Sequence, residues 1–282
     1  MNPDSAVGVT SFAASPATLS ALAARPAMIE DPSNLWLVHP LSDRLLAPAL
    51  RWGIHPNTVS FTGMGFGALA GACYYHWHQP FAVIAGFLCM VAWHVMDGLD
   101  GKLARASGKA SPLGRLIDGL CDYMVFFLVL LPIVLSFDDW PPVLALAVAS
   151  GLCHAVQSAW YEGEREAWKR RARGVFHVEP RPPARFWAER LYNKVEATLG
   201  GGAGTIDARL AANPALVETY LGATAPLLRR LSLLSANNRT IAIAIACLIG
   251  NPRLYWHWEI AMLSVLALAM ALVLRRCEAR IA

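Results

Sequence analysis

Two short runs of the sequence carry the residue types that could do chemistry. Residues 97–105 read D-G-L-D-G-K-L-A-R and residues 114–122 read G-R-L-I-D-G-L-C-D. Asp97 and Asp100 are three apart, and Asp118 and Asp122 are four apart. At about 100° per residue, each pair lies on one face of a helix. A short turn between the runs lets the two faces meet, so four carboxylates converge. Clustered anions need a cation, and hard oxygen donors suit Mg²⁺, Mn²⁺ or Ca²⁺. Arg105 adds a planar, permanently charged fork that fits phosphate. Gly101 and Gly114 leave room for a ligand at the backbone. Together these residues indicate metal-assisted chemistry at a phosphate. Helix capping plus salt bridges from Asp97 or Asp100 to Lys102 or Arg105 would explain one pair, but not Asp118 and Asp122.

The elements that hold these runs are apolar. The 282-residue chain is 56% hydrophobic and 16% charged, with a mean hydropathy of +0.40. Soluble domains average about 45–50% apolar and about 25% charged. An ordinary soluble enzyme, a disordered protein and a coiled coil are excluded on this balance. Six stretches approach the roughly 20 apolar residues that cross a bilayer: 57–76, 81–100, 117–136, 141–162, 237–251 and 256–274. The fifth is short and extends backwards through Leu231–Leu234. The aspartates therefore lie at the end of the second span and the start of the third, and acids at membrane depth mark function. Of the 24 Lys and Arg, only Arg253 falls in the links between spans one and two, three and four, or five and six. Short basic links stay in the cytoplasm, which places both termini and the 101–116 loop there.

The expected fold is an all-α integral membrane bundle of six transmembrane helices. An interfacial helix over 41–52 precedes it, and an extended cytoplasmic segment over 163–236 separates helices four and five. Residues 1–33, rich in Ala, Ser and Pro, read as a poorly ordered tail without the pattern of a cleaved signal; residues 34–282 form the membrane domain. Residues 164–173 continue the fourth helix with a basic face suited to anionic lipid headgroups rather than nucleic acid. Gly200–Gly204 is a flexible break outside any strand–helix setting. The six cysteines form no C-x-x-C pair and read as small buried residues.

The acidic runs resemble the signature of the CDP-alcohol phosphotransferase family: D-x-x-D-G-x-x-A-R, seven or eight residues, then G-x-x-x-D-x-x-x-D. Asp97, Asp100, Gly101, Ala104, Arg105, Gly114, Asp118 and Asp122 meet every fixed position, with eight residues from Ala106 to Leu113 between the runs. The resemblance implies an integral-membrane, multi-pass enzyme of phospholipid biosynthesis in the cell (inner) membrane, with a cytoplasmic active site. An alcohol attacks the phosphorus beyond CMP in a CDP-linked substrate, and CMP leaves. One or two Mg²⁺ or Mn²⁺ ions are expected on Asp97, Asp100, Asp118 and Asp122, with Asp122 also the candidate base. Gly101, Ala104, Arg105 and Gly114 are expected around the CDP moiety. The resemblance also implies a homodimer. CDP-diacylglycerol, donating a phosphatidyl group to a small polar alcohol, is the expected donor. Transfer of a phospho-headgroup from a CDP-alcohol to a lipid alcohol is the alternative. A divalent-cation transporter is a reading from another class, but it leaves Arg105 unexplained; a catalytically silent scaffold is disfavoured by the complete signature.

Further positions carry expectations. Asn57 is either a contact near the nucleotide or a helix N-cap. Gly63, Gly67 and Gly71 form a small-residue stripe for close helix packing, within the bundle or across a dimer. His94, one turn before Asp97, is a packing residue. Arg229, Arg230 and Arg239 flank the fifth span as cytoplasmic anchors or as holders of an acceptor phosphate.

Overall fold

The computed structural model describes residues 25–177 and 205–281. Regular structure among them is helical throughout. After a π-helical turn, Asn34–Val38, come α1 (His39–Arg51), α2 (Pro56–Tyr75), α3 (Pro80–Ala106), α4 (Pro112–Leu135) and α5 (Trp140–Ala172). Beyond the undescribed residues follow α6 (Thr205–Ala212), α7 (Leu216–Arg230), a 3₁₀ turn (Leu231–Leu234) and α8 (Ala236–Leu248). The last helix, α9, runs unbroken over Arg253–Ile281 with a π-helical stretch at Trp258–Leu263.

The sequence sets these boundaries locally. Prolines occupy the first turns of α2, α3, α4 and α5, where a missing N–H costs nothing. Ser111 caps α4 by accepting from the Gly114 N–H at 3.0 Å. Gly108, at φ +69°, ends α3 in the left-handed conformation that glycine adopts without a Cβ clash, and the Lys109 N–H reaches the Ala104 carbonyl at 2.9 Å.

Among the described residues, four helices are long and apolar enough to cross a membrane: α3, α4, α5 and α9. A fifth crossing requires two segments together, Leu216–Leu234 and Ala236–Leu248, bent by 41° at Ser235. The expected count of six is met only in part by this measure. The first expected span is the 20-residue α2, whose glycines, serine and threonines leave it less apolar than its neighbours. The fifth fails alone because α8 has 13 residues, about 20 Å of helix against a hydrocarbon core of about 30 Å.

Helices α2, α3 and α4 form the tightest unit, and its glycines explain why. A Cβ on Gly63 would come 3.2 Å from Trp93 and Met96 of α3, and one on Gly67 2.8 Å from Val125 of α4. A Cβ on Gly71 would sit 2.0 Å from the Leu128 carbonyl oxygen. The stripe thus serves contacts inside the bundle. Around it Tyr74, Trp93, Val125, Val129 and Trp256 build one core. A second core gathers Ile29, Tyr161, Trp168, Leu210, Tyr220 and Leu228. Among the described residues of the 163–236 segment, α6 and α7 pack onto the end of α5. The Gly200–Gly204 break lies outside the described residues.

The expected tail at 1–33 is described only in its last residues. Residues 1–24 lie outside the described residues, but Ile29 and Asp31 are buried. Asp31 accepts from Ser235 Oγ at 2.5 Å and Asn238 Nδ2 at 3.1 Å, tying this segment to the start of α8.

Candidate active site

The α3–α4 hairpin gathers the aspartates. One carboxylate oxygen from each of Asp97, Asp100 and Asp118 lies within 4.8 Å of the others. Asp122, one turn beyond Asp118, joins them in the same pocket. All four line one narrow pocket with Ser60, Gly63, Trp93 and Cys121. Ser60 Oγ donates to Asp100 Oδ2 at 2.5 Å, so α2 fixes one carboxylate from outside the hairpin.

The donor set fits a divalent cation. Oxygens sharing one ion bonded at roughly 2.0–2.6 Å can lie at most about 4–5 Å apart, and the three aspartates meet that span. Four acids brought together at this depth repel one another and have little water to screen them, which a cation would relieve. Lys102 does not supply that charge. It points away from the pocket, donating to Ser42 Oγ at 2.8 Å and pairing with Asp43 at 2.6 Å on α1.

The remaining signature residues surround this centre. Arg105 is exposed at the end of α3, and its charge acts on Asp118. A Cβ on Gly101 would lie 3.3 Å from the Arg105 guanidinium, so the glycine lets that side chain fold back along the helix. Ala104 is half-buried on the same helix. Gly114 faces α2: a Cβ there would come 3.9 Å from Asn57 Oδ1. Asn57 is not the N-cap of α2. His55 fills that position, its Nδ1 accepting from the Asn57 N–H at 3.2 Å, and the Asn57 amide is left beside the start of α4.

Other candidates are engaged elsewhere. His94 is buried against Thr240, Nε2 to Oγ1 at 2.9 Å. Arg239 is wholly buried, so it is neither a surface anchor nor open to a phosphate. Its Nε pairs with Glu259 at 2.9 Å, and its terminal nitrogens reach Gln157 at 2.9 Å, Ser158 at 3.0 Å and the Leu234 carbonyl. Arg229 and Arg230 are exposed at the end of α7, which packs on α5 and α9.

Ser60 and Glu162 were not among the expected site residues. Ser60 stands one helical turn after Asn57, a spacing that could have drawn attention to it. Glu162 acts electrostatically on both Asp97 and Asp122, yet it lies at the edge of the basic run that ends α5. Arg165 grips it with one terminal nitrogen, 2.9 Å from each carboxylate oxygen. The other nitrogen grips Glu30 at 2.9 and 2.8 Å. Burial alone would raise the Glu30 carboxyl, but Arg165, the Asn34 amide and Lys169 outweigh it and hold the group below its ordinary value.

Comparison with known proteins adds an independent line. A family model described as CDP-alcohol phosphatidyltransferase matches residues 54–212. Ethanolaminephosphotransferase 1 from Pongo abelii and its counterpart from Homo sapiens are each 31% identical over 115 residues, covering 35% of this chain. The matched stretch spans only 28% of the length of those relatives. No solved structure matches the chain.

Proposed function

We propose, from the premise that this chain belongs to the CDP-alcohol phosphatidyltransferase family, that its aspartate pocket displaces CMP from a CDP-linked substrate with an alcohol. The chain is an enzyme of the transferase class. The observation that carries the reading is the shared reach of Asp97, Asp100 and Asp118, with Asp122 alongside. These four would hold Mg²⁺ or Mn²⁺, which when bound neutralises the diphosphate and the charge developing on CMP. Arg105, with Gly101, Ala104, Gly114 and Asn57 around it, would bind the CDP moiety. The acceptor oxygen forms a new bond to the phosphorus beyond CMP. The bond from that phosphorus to CMP breaks, and CMP departs with the electron pair. Asp122 takes the acceptor's proton, a contribution of about 10²–10⁴-fold for a well-placed base. Positioning for in-line attack supplies much of the remainder.

The setting follows from the same reading. Residues 34–282 act as one membrane domain, with α1 lying in the interface. The exposed Trp36 and Trp52 suit that position. The charge segregation supports cytoplasmic termini and a cytoplasmic site in the cell membrane. The homodimer rests on family likeness alone.

In one version CDP-diacylglycerol is the donor and a small polar alcohol the acceptor. The relatives' printed name favours the second version, in which a CDP-linked headgroup passes to a lipid alcohol. Purified protein in lipid nanodiscs separates them: CDP-diacylglycerol with an alcohol panel and CDP-ethanolamine with diacylglycerol give different products by mass spectrometry. Asp118→Asn and Asp122→Asn should each abolish metal-dependent CMP release. Full activity in both would overturn the assignment.

A further inference from the structure

Between α1 and the α2–α3 pair lies an apolar groove of about 240 Å³. Leu45 and Trp52 of α1, Val59 and Thr62 of α2, and Met96 and Leu99 of α3 wall it. The Thr62 hydroxyl is spent on the Thr58 carbonyl at 2.8 Å, so it offers a polar ligand little. Sites that enclose whole drug-sized ligands run to about 300–1,000 Å³; this one has room for a chain but not for a headgroup as well. It is separate from the aspartate pocket, and no residue lines both. Val59 adjoins Ser60 and Leu99 adjoins Asp100, and at about 100° per residue the two sets turn to different faces of α2 and α3.

A row of charge borders the groove. Arg44 and Arg51 stand two turns apart on α1, with Pro48 between them on the same side, and Pro48 lines the groove. Both arginines are exposed. The one acid of α1, Asp43, is taken by Lys102 of α3 at 2.6 Å. Among the described residues, neither Arg44 nor Arg51 has an acidic partner. Trp52, 74% exposed, stands at the rim. Guanidinium suits phosphate, and an apolar slot beside it suits hydrocarbon.

We propose that the groove and the arginine row hold one anionic phospholipid of the bilayer, an acyl chain between α1, α2 and α3 and its phosphate on Arg44 and Arg51. The site rests on the interfacial placement of α1 and is independent of the transfer reaction. A substrate lipid is not the occupant, because its phosphates belong with Arg105 and the aspartates on the other face.

Trp52 reports occupancy. Full-length protein is placed in phosphatidylcholine nanodiscs with a minor fraction of phosphatidylglycerol, one lipid or the other carrying brominated chains. The difference from Trp52→Phe isolates the emission of Trp52. Phosphatidylglycerol should quench it with about tenfold higher relative affinity than phosphatidylcholine, as two arginines near an anionic headgroup require. Equal affinities overturn the proposal. Arg44→Gln with Arg51→Gln, both at exposed positions, should bring the ratio to about one, with each single variant in between; an unmoved ratio overturns it. Thr62→Phe, also at an exposed position, fills the slot and should weaken quenching by the anionic lipid; undiminished quenching overturns the placement of the chain. Arg105→Gln should leave the preference intact, and diacylglycerol should not displace the label. A loss in either experiment assigns the groove to a substrate lipid and overturns the proposal. Trp52 shielded from both brominated lipids by a second copy of the chain, identified by light scattering, overturns it too. No turnover enters the measurement, so failure of the phosphotransferase reading leaves its outcome untouched.

Discussion

Ser60 donates to Asp100 across the α2–α3 interface, and its hydroxyl also lies 3.4 Å from the Pro56 carbonyl. A ligand carboxylate left without such a partner turns more freely and presents its oxygen less well. Ser60→Ala should therefore raise the Mn²⁺ concentration for half-maximal CMP release by about tenfold, within the roughly 10–100-fold typical of residues that orient metal ligands. The maximal rate should change much less. A Mn²⁺ titration of activity reads both, and an unchanged metal requirement would mean that Asp100 is oriented by other means. The aspartates themselves were legible because helical period alone puts 97 with 100 and 118 with 122. The contact of Ser60 with Asp100 was not, because it is made through tertiary packing across 40 residues of sequence. No local spacing encodes that.

The contact between α2 and α4 is set by glycine. Gly71 meets the Leu128 carbonyl so closely that no methyl fits, whereas a Cβ on Gly65 would meet nothing within 4 Å. Gly71→Ala should destabilise the bundle by about 1–3 kcal/mol, the usual cost of forcing extra volume into a packed interface. Gly65→Ala should leave stability unchanged or slightly improved, since alanine is the better helix former. Thermal unfolding of the two variants in one detergent makes the comparison. Equal melting temperatures would show that α2 and α4 can separate without penalty. The four-residue spacing of the glycines made this contact readable, as did the Pro and Ser signals that start the helices. The break at Ser235 was less readable. Leu231–Leu234 looks like a simple extension of the fifth apolar run, and at the 41° bend Ser235 meets Asp31, a partner far away in sequence. The burial of Ile29 and Asp31 was hidden similarly, since it comes from packing against residues far away in sequence.

Across the whole molecule, a buried ionic contact joins two of the apolar helices. Arg239 and Glu259 are fully enclosed, with Gln157 and Ser158 of α5 and the Leu234 carbonyl completing the guanidinium's partners and Tyr255 donating to Glu259 at 2.5 Å. Removing one partner of such a pair costs about 3–5 kcal/mol, because the other charge remains buried and alone. Arg239→Met should show a loss of that size in denaturant or thermal unfolding. Adding Glu259→Gln should recover part of it, and a double variant no better than the single would show that the pair is not coupled. The contact also bears on how the chain enters a bilayer. Neither α8 nor α9 can carry its own charge into hydrocarbon without a large penalty, but a hairpin that folds the guanidinium onto the carboxylate enters with no net charge at that depth. Residues 236–281 must therefore partition as one unit, and a nascent chain halted between positions 239 and 259 would leave a bare cation facing lipid.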